Sequence, residues 1–162
     1  MAYVLVQHLD PTHESLLPEI VQKVTKIPVH QITNDIHLAP DHIYIIPSNK
    51  ILTSIDGILK LSTRDRKIQN LPIDVFFTSL AEVHIEFAAG VVLSGTGSDG
   101  TNGLKEIRSH GGITIAQDLS SASYEAMPKN AIDSGVVDFI LAPEDIPACL
   151  QTMNVPKGMS LA

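Results

Sequence analysis

The apolar residues of this chain fall into two regimes. In the first half they form short runs broken by polar residues, and in the second half they form compact blocks alternating with amphipathic stretches. "YVLVQH" is a β-rich run halted by Asp10-Pro11, which predicts a strand ending at His8. "SLLPEIVQKVTK" places Ser15 as an N-cap, Pro18 in the first turn, and Leu17, Ile20, Val21 and Val24 on one helical face. "IPVHQIT" alternates moderately. "HIYIIP", "KILTSI" and "ILKLST" are β-patterned, the last two joined across Asp56-Gly57, a favoured hairpin dipeptide. The polar stretch "TRDRKIQNL" predicts a surface loop, after which Pro72 opens a helix with Ile73, Phe76, Phe77 and Leu80 on its apolar face.

From there the order is regular. "AAGVVLS", "ITIAQD" and "VVDFIL" show little alternation, as suits strands buried on both faces. Between and after them, "NGLKEIRSH" (closed by Gly111-Gly112), "PKNAIDSG" and "PEDIPACLQTM" predict helices. The expected fold is α/β: a doubly wound, mostly parallel, Rossmann-like three-layer α/β/α sheet with right-handed crossovers and a β-hairpin inserted in the first half. In such sheets ligands bind outside the carboxyl ends of the strands.

Composition narrows the function classes. The 162 residues suit one domain, 1–162, and 44% hydrophobic with 18% charged residues is the balance of a globular chain rather than a disordered one. Eleven basic against eighteen acidic residues give a net charge of -7, which argues against nucleic acid or an anionic membrane surface as partner. No apolar run is long enough to insert in a membrane, and "MAYVLVQHLDPTHES" lacks a basic, cleavable leader, so a cytoplasmic location is expected. Cys149 sits with Ile146, Leu150 and Met153 at helical spacing and reads as core filler.

The segment "VVLSGTGSDGTNG" carries the candidate chemistry. Gly95, Gly97 and Gly100 spell the dinucleotide pattern G-x-G-x-x-G after a strand, and Asp118 stands near where a ribose-binding acid would. Against that reading, Asp99 would set a carboxylate among the amides a pyrophosphate needs, and no Lys-Ser/Thr pair follows the glycines to make a P-loop. No cofactor is therefore expected. The plain reading is that the glycines permit a tight turn while Asp99 caps the helix starting near Thr101. The functional one is that Asp99 and His8, each delivered to a strand's carboxyl end, form the orienter and base of a nucleophilic triad.

With those residues assembled, the chain resembles the catalytic domain of the CheB protein-glutamate methylesterases of chemotaxis. The resemblance rests on "VLVQHLDPTHES", "HLAPDHIYIIPSNK", "PIDVFFTSLAE", "VVLSGTGSDGTNGL" and "GGITIAQDLSSASYEAMPKNAIDSGVVDFIL", in that order over nearly the whole chain. The wording "VQHLDPTHES" is similar to domains fused to methyltransferase and sensor modules. The resemblance implies hydrolysis of γ-glutamyl methyl esters on chemoreceptors by Ser, His and Asp. His8 and Asp99 match the family's catalytic histidine and aspartate, and Met127 and Pro128 lie in a segment that lines its cleft. The turn amides of Thr96 and Gly97 are placed to help hold the oxyanion.

One departure is decisive for activity. The family's serine lies in a G-A-S-x-G-G turn on a strand and helix preceding the histidine strand, and no such turn occurs here. The expectation is a family member shortened at its N-terminus, lacking the first strand and helix of the fold and its nucleophile. Ser15, Ser94, Ser98 and Cys149 are poorly placed substitutes. Loss of that strand would expose the flank of "YVLVQH", with a homodimer or a borrowed strand as possible cover. Expected partners are a methylated chemoreceptor or a similar signalling protein, and the competing class is a binding or assembly module without catalysis. His13, His30, His37 and His42 read as surface or satisfied histidines rather than metal ligands, and Arg64 and Arg66 as loop residues.

Overall fold

A computed structural model describes residues 1–7, 16–47, 50–63 and 71–154. His8, His13, Ser15, Arg64 and Arg66 lie outside the described residues. The first parallel sheet has the order β1-β4-β2, with β1 at Tyr3–Leu5, β2 at Val29–Gln31 and β4 at Ile43–Ile45. Tyr3 and Val29 both stand opposite Ile43. The second has the order β7-β8-β9, with β7 at Ala89–Val92, β8 at Ile113–Gln117 and β9 at Phe139–Leu141. Val92 lies opposite Ala116, and Gln117 opposite Leu141.

The predicted hairpin spans β5, Lys50–Ile55, and β6, Ile58–Thr63, with Asp56 (φ 46°) and Gly57 (φ 78°) both in the left-handed region. Two positive φ angles give a turn whose twist matches the strands it joins. β3, Ile36–His37, pairs with β6 as a third antiparallel strand, and two residues are too few to show alternation in the sequence.

Among the described residues five α-helices complete a Rossmann-like α/β architecture: α1 Leu17–Val24, α2 Pro72–His84, α3 Thr101–Ser109, α4 Ala126–Asp133 and α5 Ile146–Gln151. α2 is the central one. Its Ile73, Phe76 and Phe77 are buried as the apolar pattern predicts, and it packs against α3 and β5. Ser79 ties it to the hairpin, its Oγ accepting from Ser54 N at 2.9 Å. Close packing burying groups of this size, roughly 1.5–3 kcal/mol each, holds the layers together.

Among the described residues the parallel strands form two three-stranded sheets. One expectation is corrected. β9 is not buried on both faces, since it borders its sheet and leaves Phe139 and Ile140 45% and 52% exposed. α1 buries none of its residues. Its apolar face includes Ile20 and Val24, both exposed, and the helix is held at its end by Gln22, whose Oε1 accepts from Val29 N at 2.9 Å.

Candidate active site

The glycine-rich segment leaves β7 at Val92 and enters α3 at Thr101, so it sits at the carboxyl end of β7. Polar contacts hold its first half against the chain leading into α4. Ser94 N donates to Gln117 Oε1 at 2.8 Å, and Ser94 Oγ accepts from Tyr124 N at 2.9 Å while donating to Tyr124 O at 3.3 Å. Gly95 N donates to Tyr124 O, Met127 N donates to Gly95 O, both at 3.0 Å, and Asn130 Nδ2 donates to Gly97 O at 2.9 Å. The approach is close enough that a Cβ on Gly95 would stand 2.5 Å from Met127 Sδ. Gly97 holds φ 82°, which a side chain would strain.

What this leaves at the tip is chemically informative. Thr96, Gly97 and Ser98 are exposed, and their backbone N–H groups donate to no acceptor among the described residues. Three consecutive free amides in a turn form a surface suited to an anion or to an oxygen that becomes one.

Behind the tip the chain turns inward and Asp99 is 3% exposed. Its Oδ2 accepts from Ile73 N at 3.0 Å and its Oδ1 from Asp74 N at 2.8 Å. These are orphan donors of the first turn of α2, whose own N-cap position, Leu71, offers no side-chain acceptor. Asp99 therefore caps α2, not the adjacent α3 that local reading assigns to it. The cap of α3 comes from α2 in exchange: Asp74 Oδ1 accepts from Gly100 N at 2.9 Å and Gly103 N at 2.7 Å. Two helix N-termini, with their partial positive charge, meet two buried carboxylates. Burial raises the Asp74 pKa above its usual value, the neighbouring Asp99 charge adds to the rise, and the amide bonds oppose it. Asp74 Oδ2 is buried and has no hydrogen-bond partner among the described residues.

The predicted site residues are thus distributed unevenly. Asp99, Thr96 and Gly97 share one loop, with Asp99 anchoring it and the other two at its surface. His8 follows β1 but is not among the described residues. Met127 is 8% exposed, with its sulfur beneath Gly95, Pro128 is fully buried, and Tyr124, whose backbone bonds to Ser94 and Gly95, is 64% exposed. Ser94, weighed as a nucleophile, is engaged on both sides by Tyr124. Asp118 accepts from the hydroxyls of Ser120 and Ser121, which hold its carboxyl below the usual range. His30 Nε2 and His42 Nδ1 hydrogen-bond at 2.8 Å with nearly coplanar rings.

Sequence reasoning missed Asp74, Gln117, Tyr124 and Asn130. Asp74 carries a signal of its own: a carboxylate between Ile73 and Phe76 on the buried side of an otherwise apolar helix needs partners. The other three act through contacts 20 to 35 residues away, which no local spacing marks.

Comparison with known proteins adds the lineage. The family model for CheB methylesterase matches residues 1–150. An uncharacterized 104.1 kDa protein of Rhodobacter capsulatus is 41% identical over 130 residues, 80% of this chain and 14% of its own length. A protein-glutamate methylesterase/protein-glutamine glutaminase of Pseudomonas aeruginosa is 37% identical over 139 residues, 83% of this chain and 42% of that protein. The chain therefore spans less than half of either relative. Among solved structures, the Thermotoga maritima CheB methylesterase catalytic domain superposes with a TM-score of 0.83 at 27% identity, covering 93% of this chain and 82% of that one.

Proposed function

The chain belongs to the CheB methylesterase family, and we propose that it serves the hydrolysis of γ-glutamyl methyl esters on a chemoreceptor or similar signalling protein, releasing methanol. The observation that carries this reading is the exposed turn 96–98, whose amides, free among the described residues, stand directly before a carboxylate locked in place by the N-terminus of α2. In the reaction a serine oxygen attacks the ester carbonyl while His8 takes the serine proton. Asp99 fixes the imidazole tautomer and stabilises its charged form. The carbonyl oxygen gains the negative charge, and amides of the exposed turn 96–98 hold it. Collapse of the intermediate expels methoxide, which leaves as methanol with the proton from His8. Water, deprotonated by His8, then attacks the acyl-serine, and the serine oxygen departs with the proton from His8 as the glutamate carboxylate is freed.

No stretch of the 162 residues matches the family's serine turn, so in this reading they supply base, orienter and oxyanion support and do not turn over ester alone. In this reading the buried Met127–Pro128 segment backs the substrate cleft from inside, and the exposed Tyr124 borders it. The test is methanol release from a methyl-esterified receptor peptide. The 162-residue chain is compared with the same chain preceded by a family strand and helix bearing the serine, each with His8→Ala and Asp99→Asn versions. Activity in the longer chain, lost on His8→Ala and absent from the shorter one, is expected. Appreciable turnover by the shorter chain refutes the account of the nucleophile, and a folded but inactive longer chain favours a binding module.

A further inference from the structure

The turn 95–98 presents its peptide groups in a particular sense, and the sense is set from α4. In a trans peptide the C=O of one residue and the N–H of the next point in opposite directions. Gly95 O is turned toward α4 by the Met127 amide, so the Thr96 N–H points away from α4. Gly97 O is turned toward α4 by Asn130 Nδ2, so the Ser98 N–H also points away. Met127 and Asn130 are three residues apart on one helix and hold alternate peptides of the loop, which aims two amides to the same open side. The Gly97 N–H belongs to the intervening peptide, for which no such bond to a described residue exists. Gly97 at φ 82° allows the chain to turn between the two held peptides.

We propose that the amides of Thr96 and Ser98, rather than those of Thr96 and Gly97, hold the developing oxyanion, and that Asn130 is the positioning residue that aims the second of them. This rests on the esterase reading above. The two donors differ in how they are secured: the first by a backbone bond that substitution cannot remove, the second by a side chain on the exposed surface of α4. Asn130 therefore offers a way to misdirect one donor while leaving the other and the core untouched.

The test uses Asn130→Asp, which keeps the shape but replaces the donor by an acceptor facing Gly97 O, and Asn130→Ala. Two readouts are needed. In the 162-residue chain, amide NMR is expected to show the Ser98 resonance displaced in both variants and that of Thr96 much less so, with the thermal midpoint close to the parent's. In the serine-bearing longer chain, kcat for ester hydrolysis is expected to fall about 10-fold to 100-fold with KM nearly unchanged, because loss of a full oxyanion donor costs about 10²–10³ and misaiming costs less. An unmoved Ser98 resonance overturns the positioning role. A displaced resonance with unchanged kcat, in a parent that His8→Ala inactivates, overturns the assignment of Ser98 as donor. A parent inactive on the ester, with folding intact, refutes the esterase reading and the oxyanion role with it. The NMR result distinguishes that failure from a failure of Asn130 to aim the loop.

Discussion

Removing the Asp99 carboxylate should be felt first as lost stability, well before any chemistry. In Asp99→Ala the Ile73 and Asp74 amides, now bonded at 3.0 and 2.8 Å, lose their acceptors in a site 3% exposed. A lost N-cap costs about 0.5–2 kcal/mol. A buried donor left unpaired costs about 1–3 kcal/mol. Relief of the repulsion that Asp99 exerts on Asp74 offsets part of this, leaving an expected loss of about 2–3 kcal/mol. For a chain of this length each kcal/mol moves the midpoint by about 2–4 °C, so thermal unfolding followed by circular dichroism at pH 7 should shift by about 4–12 °C. Asp99→Asn keeps one acceptor oxygen and should lose roughly half as much. Ser98→Ala, at an exposed neighbouring position, is the control and should stay within about 0.5 kcal/mol. An Asp99→Ala midpoint indistinguishable from that control would refute the cap, and with it the anchoring of the loop to α2.

Asp74→Asn should change how stability depends on pH. The Asp74 pKa is raised in the fold above its usual 3.8, so the folded state binds that proton more tightly than the unfolded state does. The stability it confers is fully present below about 3.8 and is lost as pH rises through the raised value. Asparagine keeps an oxygen for Gly100 and Gly103 without the charge, so urea unfolding from pH 4 to 7 should show the variant gaining on the parent as pH rises, and parallel curves would refute the shift. Gly97→Ala should cost about 1–2 kcal/mol from backbone conformation alone. An added Cβ meets nothing within 4 Å, so a variant as stable as the parent would show that φ 82° is not held in solution.

Much of the architecture is written locally. Asp56-Gly57 marks the hairpin, Pro72 the start of α2, and the apolar blocks the three strands of the second half. The loop was legible as a strand-to-helix turn bearing Asp99, because glycine spacing and a carboxylate near a helix start are short-range features. Which helix Asp99 caps was not. A side chain usually serves the helix it precedes, and the exchange exists only because α2 and α3 pack with their first turns side by side, Gly103 close against Phe77 and Asp74. The exposure of β9 is likewise a property of its place at the border of a sheet, since Phe139 and Ile140 carry the same pattern as a strand covered on both faces. Asn130 and Gln117 gain their roles from partners 33 and 23 residues away.

The exchange of caps between Asp74 and Asp99 also determines how the molecule can come apart. Neither helix can fray at its first turn without releasing the carboxylate that closes the other, so the two beginnings open as one event or remain shut. The same bond pattern sets the smallest piece that can be moved between proteins. A transplant of residues 91–103 alone would arrive with one helix uncapped and a buried acid without its amides. The transferable unit is that loop together with the opening turn of α2, two segments far apart in the chain that behave as a single part.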